Sequence, residues 1–421
     1  MKTTKRIVLG FVALLVGAVS FAQKRNLDNF RSPDKDGVQV FEAPKDTAST
    51  FENVKVRIGG SSTLQFQSVD HENSGGVELI EIGDNFNLAT ANLDFDVALA
   101  KGVRMHLRTY LSSRHHPEAW VKGGYLQVDD LGFIKEGLLE DVMQYVTIKL
   151  GHMEVNYGDN HFRRTDNSQA MFNPFVGNYI MDAFTTEVGG EIYYRRNGFM
   201  GMLGVTNGKL NQSVTNPDAT SPSLVLKAGF DRQLTDDLRF RITGSMYSTA
   251  QSGSTFLYNG DRAGSRYYLV MEEVGANPTS NFTSGRFNPG FRNQLTAFVF
   301  NPFVKYKGWE FFGTFERAQG RNKGEHEFRS ATQYGAELLY RFGNNENLYL
   351  GGRYNLVNSD EFGTDNDLEI DRIQLGAGWF LTKNTLLKLE YVKQTYDGFT
   401  PGSIFDQGEF DGIMMEAVIS F

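Results

Sequence analysis

Cysteine is missing from this sequence and proline is scarce. None of the 421 residues is Cys and only 10 are Pro. Without cysteine there is no disulfide framework, so stability must come from core packing or from backbone pairing on a large scale. Proline removes a backbone hydrogen-bond donor and is rare inside sheets, so its scarcity suits long, uninterrupted strands.

Long apolar runs and an excess of positive charge are also missing. After Ala22 no apolar run approaches the eighteen or so residues that a membrane-spanning helix needs, which excludes a helical membrane protein. The formal net charge is −8. A negative balance argues against a nucleic-acid partner.

The first 22 residues have the pattern of a signal peptide. Lys2, Lys5 and Arg6 precede the apolar stretch 7–19, and Ala22 ends a site of small residues where a signal peptidase would cut. The alternative is a single N-terminal membrane anchor, but the apolar stretch is short for a bilayer. We therefore expect export, with residues 1–22 removed.

Aromatic residues and glycine are abundant and follow an alternating pattern. The chain has 34 Phe, 18 Tyr and 45 Gly, a composition that suits extensive sheet. Residues 23–52 are polar without periodicity, which predicts a flexible periplasmic extension. From residue 53 to 421, polar and apolar residues alternate with a period of two. In the segment 102–112, for example, valine, methionine and leucine share one face, and arginine, histidine and tyrosine share the other.

The spacing of the alternating segments predicts an even number of strands joined by short and long connections in turn. Short turns and long loops alternate in this way in outer-membrane barrels. The apolar piece 267–271 would break the alternation and is assigned to a loop. The sixteen predicted strands are 54–69, 86–99, 103–113, 119–129, 144–155, 185–195, 198–207, 223–232, 237–249, 294–306, 309–319, 331–342, 347–358, 370–381, 385–396 and 410–421.

A sheet in hydrocarbon must close, because lipid offers no partner for unpaired backbone groups. We therefore predict an all-β fold, a transmembrane antiparallel up-and-down β-barrel of about 16 strands spanning residues 53–421 in the bacterial outer membrane. The last strand alternates and ends on Phe421, as in chains that the barrel assembly machinery recognises. Aromatic residues near strand ends are expected to form the interfacial girdles, namely Tyr110, Tyr193, Tyr194, Phe230, Tyr247, Tyr306, Trp309, Tyr340, Phe342, Trp379, Tyr391 and Tyr396.

With this strand scheme, the chain resembles the sixteen-stranded porins related to the phosphate-selective porin family. The most similar stretch is 148–158 (IKLGHMEVNYG), a glycine and an alternating strand that ends at a second glycine before a long loop. The resemblance implies a homotrimer and passive diffusion of small hydrophilic solutes or ions, with anions such as phosphate among them. The chain has no regular series of arginines or lysine cluster that would form a phosphate ladder.

The loop 158–184 is the predicted constriction, because barrels of this size usually carry an infolded loop that narrows the lumen. Charged residues cluster at its start: Asp159, His161, Arg163, Arg164 and Asp166. In the functional interpretation, Arg163 and Arg164 meet solute anions while Asp159 and Asp166 set a transverse field. The alternative is a solvated extracellular loop with ordinary charges.

The alternation also predicts which charged residues face the lumen. They are Arg57, Asp94, Asp96, Arg104, Arg108, Lys149, Arg239, Arg241, Glu337, Arg353, Arg372, Lys388 and Glu390. If residues 100–102 close a hairpin, Asp94 lies opposite Arg108, and Asp96 lies opposite His106. The mixture of signs indicates weak ion selectivity.

No enzyme motif, metal site or cofactor is predicted. The histidines lack a neighbouring nucleophilic serine, and no G-x-S-x-G elbow occurs. Expected partners are outer-membrane lipids and lipopolysaccharide, the assembly machinery and small hydrophilic solutes. The alternative function is a barrel plugged by segment 23–50 or loop 250–293, acting as a structural or secretion-associated partner protein.

Overall fold

The computed structural model describes residues 27–115, 117–208, 220–264, 266–364 and 366–421. The predicted signal peptide lies outside these residues. Among the described residues, no helix is long and apolar enough to cross a membrane. Helical structure is confined to short pieces, such as the single turn α1 (Glu140–Met143).

The described chain forms one closed antiparallel barrel in which each strand pairs with its neighbours in sequence. All predicted strands are present, and their ends agree within three residues. The strands are β1 (Lys55–Glu72), β2 (Asn85–Ala100), β3 (Val103–Ser112), β4 (Trp120–Val128), β5 (Val146–Glu154), β6 (Thr186–Arg196), β7 (Phe199–Thr206), β8 (Ser223–Gln233), β9 (Leu238–Thr249), β10 (Gln294–Tyr306), β11 (Trp309–Arg321), β12 (Arg329–Phe342), β13 (Leu348–Asp360), β14 (Asp367–Thr382), β15 (Thr385–Asp397) and β16 (Glu409–Ser420).

The barrel closes where β1 meets β16. Ser61 lies opposite Ser420 in the register of this pair. Beyond it, Gly60 and Phe421 exchange two backbone hydrogen bonds of 3.0 Å. No strand edge is left open, which is the condition for a sheet in hydrocarbon. The predicted closed barrel is confirmed.

Alternation along the strands separates an apolar outer face from a polar interior. In β12, Gln333 and Glu337 are buried, whereas Tyr334 and Leu338 are exposed on the outer face. A large apolar surface exposed in this way suits contact with lipid. The interior therefore carries the polar and charged side chains of the wall.

The aromatic girdle is smaller than the sequence suggested. Tyr194, Tyr306, Trp309, Tyr340, Phe342 and Trp379 are exposed on the outer face, as expected. Tyr110, Tyr193, Tyr247 and Tyr396 are instead buried inside the barrel. Adjacent positions such as 193 and 194 point to opposite faces, so closeness to a strand end does not decide between lipid and lumen.

The described part of the predicted extension is packed inside the barrel. This N-terminal segment (residues 27–54) buries Phe41, whose ring lies 5.3 Å from that of Phe303 on β10. The backbone N–H of Lys35 donates to the carbonyl of Lys383, in the turn before β15. The segment thus occupies the end of the barrel that carries the short turns.

Candidate functional site: the filled lumen

The inner loop (residues 155–185, between β5 and β6) folds into the barrel. Its backbone N–H groups at Asp159, Ile180 and Met181 donate to wall side chains on β10, β13 and β12, at 2.7–2.9 Å. Because these acceptors belong to one side of the wall, the loop packs against that side. Space remains on the opposite side, along β1 to β6.

Of the five predicted constriction residues, Arg163 is held by two wall carboxylates. Its guanidinium lies 2.8 Å from Glu310 and 3.0 Å from Glu337. Burial disfavours the charged guanidinium, but these two carboxylates outweigh burial and raise the pKa of Arg163. The group is therefore charged and fully engaged with the wall.

Arg164 also faces carboxylates of the protein. It lies 2.5 Å from Asp182 in the same loop and 2.6 Å from Asp261 in the long loop (residues 250–293, between β9 and β10). The two predicted anion-contacting arginines are thus buried in separate ion pairs. Neither of them lines a described cavity.

Asp159 pairs with cations of the neighbouring strands. Lys227 on β8 lies 2.7 Å from it, and Arg241 on β9 lies 2.8 Å from it. Burial would raise the pKa of Asp159, but Arg241 and Lys227 outweigh burial and lower it to about 2. Asp159 is therefore an ionised anchor between the loop and the wall.

Asp166 and His161 lie on the side of the inner loop nearer the free space. Asp166 pairs with Lys122 on β4, which also lies 3.3 Å from Asp261. Burial and the nearby charge of Asp261 raise the pKa of Asp166. His161 lies 2.5 Å from Glu154, and it is the one residue of the five that lines the larger charged cavity described below.

The charged residues predicted to face the lumen lie on the inner side of the wall, where most of them pair across strands. Asp94 is paired with Arg108 at 2.7 Å, and Asp96 lies 2.8 Å from His106, so both predicted cross-strand neighbours are confirmed. Arg57 and Arg104 also bind Asp96. The remaining positions contact other wall residues, the loops or the N-terminal segment, as do Arg239, Arg241, Glu337, Arg353, Arg372, Lys388 and Glu390.

The long loop fills a further part of the lumen. The hydroxyl of Tyr267 donates to Glu390 at 2.7 Å, and the N–H of Tyr268 donates to Gln67 at 2.7 Å. The assignment of residues 267–271 to a loop is confirmed, and this loop turns inward.

Sequence reasoning missed the contribution of the N-terminal segment. Glu42 lies 2.8 Å from Arg241 and 3.1 Å from Lys227, and Lys45 lies 3.0 Å from Asp129. Buried carboxylates and cations need partners, and these wall charges provide them. The only sequence signal was the presence of Phe30 and Phe41 in an otherwise polar stretch.

Two cavities remain beside β1 to β6. The first, of about 180 Å³, lies between the N-terminal segment, the inner loop and the wall, and it is lined largely by charged side chains. The second, of about 260 Å³, lies at the outer ends of β3 to β6. Lys122 lines both cavities.

The fold is similar to those of bacterial outer-membrane proteins of known structure. No protein-family model and no curated protein sequence matches the chain. OmpT of Vibrio cholerae in its trimer form matches with a TM-score of 0.53 and 12% identity, covering 88% of this chain and 100% of that one. The anion-selective porin from Comamonas acidovorans matches with a TM-score of 0.51 and 10% identity, covering 88% and 100%.

The outer-membrane channel DcaP of Acinetobacter baumannii matches with a TM-score of 0.53 and 10% identity, covering 88% of this chain and 98% of that one. At these identities the likeness concerns the fold. Together with the closed sheet and its apolar outer face, it places the chain among bacterial outer-membrane β-barrels.

Proposed function

We propose that the chain is a porin that gives passive diffusion to small hydrophilic solutes or ions. The observation that carries this proposal is the charged cavity left beside β1 to β6 in a closed barrel. A barrel of this size leaves an aqueous lumen that infolded loops narrow but do not replace. The outer-membrane porins and channels of similar fold support the proposal.

The proposed path runs between the inner loop and the wall of β1 to β6. On this view, Asp159, Arg163 and Arg164 fix the inner loop to the opposite wall rather than touch the solute. Lys122, which lines both cavities, and His161 border the path. Selectivity then depends on the wall charges near these residues and not on the paired arginines of the loop.

Further parts of the proposal concern partners. Anions such as phosphate are among the proposed solutes, and a homotrimer is the proposed assembly, which the trimer form of the similar OmpT supports. Lipopolysaccharide, outer-membrane lipids and the assembly machinery are the proposed contacts of the outer face and the last strand. We propose no catalytic activity and no cofactor.

A second candidate is a plugged barrel that serves as a structural or secretion-associated partner. The ion pairs of Glu42 and Lys45 favour it, because they fasten the N-terminal segment across the end of the barrel with the short turns. In this case the charged cavity would be a closed space rather than part of a path.

Single-channel recording in planar bilayers separates the two candidates. A porin gives stepwise, ohmic currents from the purified wild-type protein. A variant lacking residues 27–46 is the informative comparison, because it removes the segment without touching a strand. Currents in both proteins support the porin, whereas silence in the wild type with large steps in the deletion variant supports the plugged barrel.

A further inference from the structure

One cation in the charged cavity has no anionic partner. The ammonium of Lys149 on β5 makes no ion pair or hydrogen bond with any residue that the structure describes. It lies instead over two aromatic rings, 5.5 Å from the centroid of Tyr125 and 5.1 Å from that of Tyr193. Aromatic faces attract a cation but leave its hydrogen-bond donors unused.

The cavity as a whole is positive. Six arginine and lysine side chains line it, against four carboxylates. Its carboxylates have partners of their own: Asp94 binds Arg108, Asp96 binds Arg57 and Arg104, and Glu154 contacts His161. The charge of Lys149 is therefore free to attract an anion from solution.

The inner loop presents the opposite kind of group to the same cavity. At its tip, the side-chain oxygens of Asn167, Ser168 and Gln169 are buried and have no hydrogen-bond partner among the described residues. The amide nitrogens of Asn167 and Gln169 are already used, since both donate to Glu154. Their free oxygens accept hydrogen bonds, so they suit a ligand with hydroxyl groups.

The backbone at this tip is held in an unusual conformation. Asn167 and Ser168 have φ of 52° and 61°, a left-handed region that side chains other than glycine seldom adopt. Such strain persists where surrounding contacts enforce it and often occurs at binding sites. One such contact is the hydrogen bond from Arg108 to the carbonyl of Asn167 at 2.5 Å.

From these observations we propose that the cavity binds a small hydroxylated carboxylate. Lys149 binds the carboxylate, and the tip at 167–169 accepts hydrogen bonds from the hydroxyl groups. A volume of about 180 Å³ has room for roughly six water molecules, which limits the ligand to a compound the size of glycerate. This inference deepens the proposed porin function by naming a solute class.

Equilibrium binding tests the site without relying on conduction. Purified barrel in detergent is titrated with glycerate, with propionate, which lacks the hydroxyls, and with glycerol, which lacks the charge, and binding is followed by saturation-transfer NMR. We expect glycerate to bind about threefold or more tightly than either, since one added hydrogen bond has about this effect. Equal binding of the three compounds, or no binding of glycerate, would overturn the proposal.

Two variants assign the parts of the site. Lys149→Gln should reduce glycerate affinity to that of glycerol, whereas Lys323→Gln, which removes the same charge from an exposed loop, should leave it unchanged. Ser168→Gly removes only an unpartnered hydroxyl and suits the positive φ; it should bring glycerate closer to propionate. Unchanged glycerate binding in both cavity variants would contradict the assignment. A barrel that binds glycerate but carries no current would contradict the porin proposal alone.

Discussion

Arg108 donates two hydrogen bonds to Asp94, from Nε to Oδ1 and from Nη2 to Oδ2, each of 2.7 Å. The two residues face each other across the hairpin of β2 and β3. Bidentate geometry of this kind fixes both side chains and makes the pair stronger than a single charged hydrogen bond. The pair lines the charged cavity, so it sets the local field where a solute would pass.

Replacement of Asp94 tests the contribution of this pair to selectivity. Asp94→Asn removes the anionic partner and leaves Arg108 with uncompensated charge, so the anion-to-cation permeability ratio should increase. Cross-strand pairs contribute only about 0.2–1 kcal/mol to stability, so the barrel should still fold. The ratio is obtained from the reversal potential in a salt gradient. Asp236→Asn, in an exposed turn, is the control, and equal ratios in the two variants would argue against a role for the pair.

Glu42 is expected to hold the N-terminal segment in the lumen. Glu42→Gln removes its charge from a buried cluster that includes Lys227 and Arg241, which weakens the attachment by about 3 kcal/mol. The mean single-channel conductance should therefore increase, because the segment leaves the lumen more often. Glu52→Gln alters an exposed position of the same segment and should have no effect. A Glu42→Gln conductance equal to that of the wild type would mean that this cluster does not fasten the segment.

The same attachment should resist mild acid. Burial raises the pKa of Glu42, but Arg241 and Lys227 outweigh it and hold that pKa well below the ordinary value of 4.5. A lowered pKa means that the attachment is fully present above about pH 4.5 and is lost only as the pH falls through the lowered value. Wild-type conductance should thus stay constant from about pH 7 to 4.5 and increase below. An increase that is complete by about pH 5 would exclude Glu42 as the titrating group.

Arg163 is expected to stabilise the barrel through its two carboxylates. Arg163→Met leaves Glu310 and Glu337 with one arginine each, Arg341 and Arg353. Breaking a buried ion pair costs about 3–5 kcal/mol, and the remaining arginines place the expected loss of unfolding free energy at the lower end. Denaturant titration in lipid vesicles measures the loss. Arg292→Met, at an exposed position, should change stability little, and a similar small change in Arg163→Met would show that the inner loop is not anchored there.

The wall of the barrel could be predicted from the sequence because its pattern is local. Alternation with a period of two assigns each side chain to lipid or lumen, and turn length then fixes the register, as the opposition of Asp94 and Arg108 shows. An even strand count with short and long connections led to closure for the same reason. Tyr193 and Tyr194 show the limit, since proximity to a strand end carried no information about the face.

The contents of the lumen could not be predicted in this way. Arg163 and Arg164 appeared as free loop charges, and their partners Glu337 and Asp261 lie far away in sequence. Irregular segments have no period from which such contacts could be read. The same reason hid the docking of Glu42, because the composition of residues 23–52 is that of an unpacked segment.

The account depends most directly on a path past Lys149, and the absence of native cysteine allows it to be tested by a single thiol. Lys149→Cys places that thiol in the cavity, and Leu150→Cys places it on the adjacent, outward-facing position. A charged methanethiosulfonate reagent is added while single-channel current is recorded. The account predicts a stepwise change in current for Lys149→Cys and none for Leu150→Cys. Unchanged current in a conducting Lys149→Cys protein whose thiol is shown by mass spectrometry to be modified would contradict it.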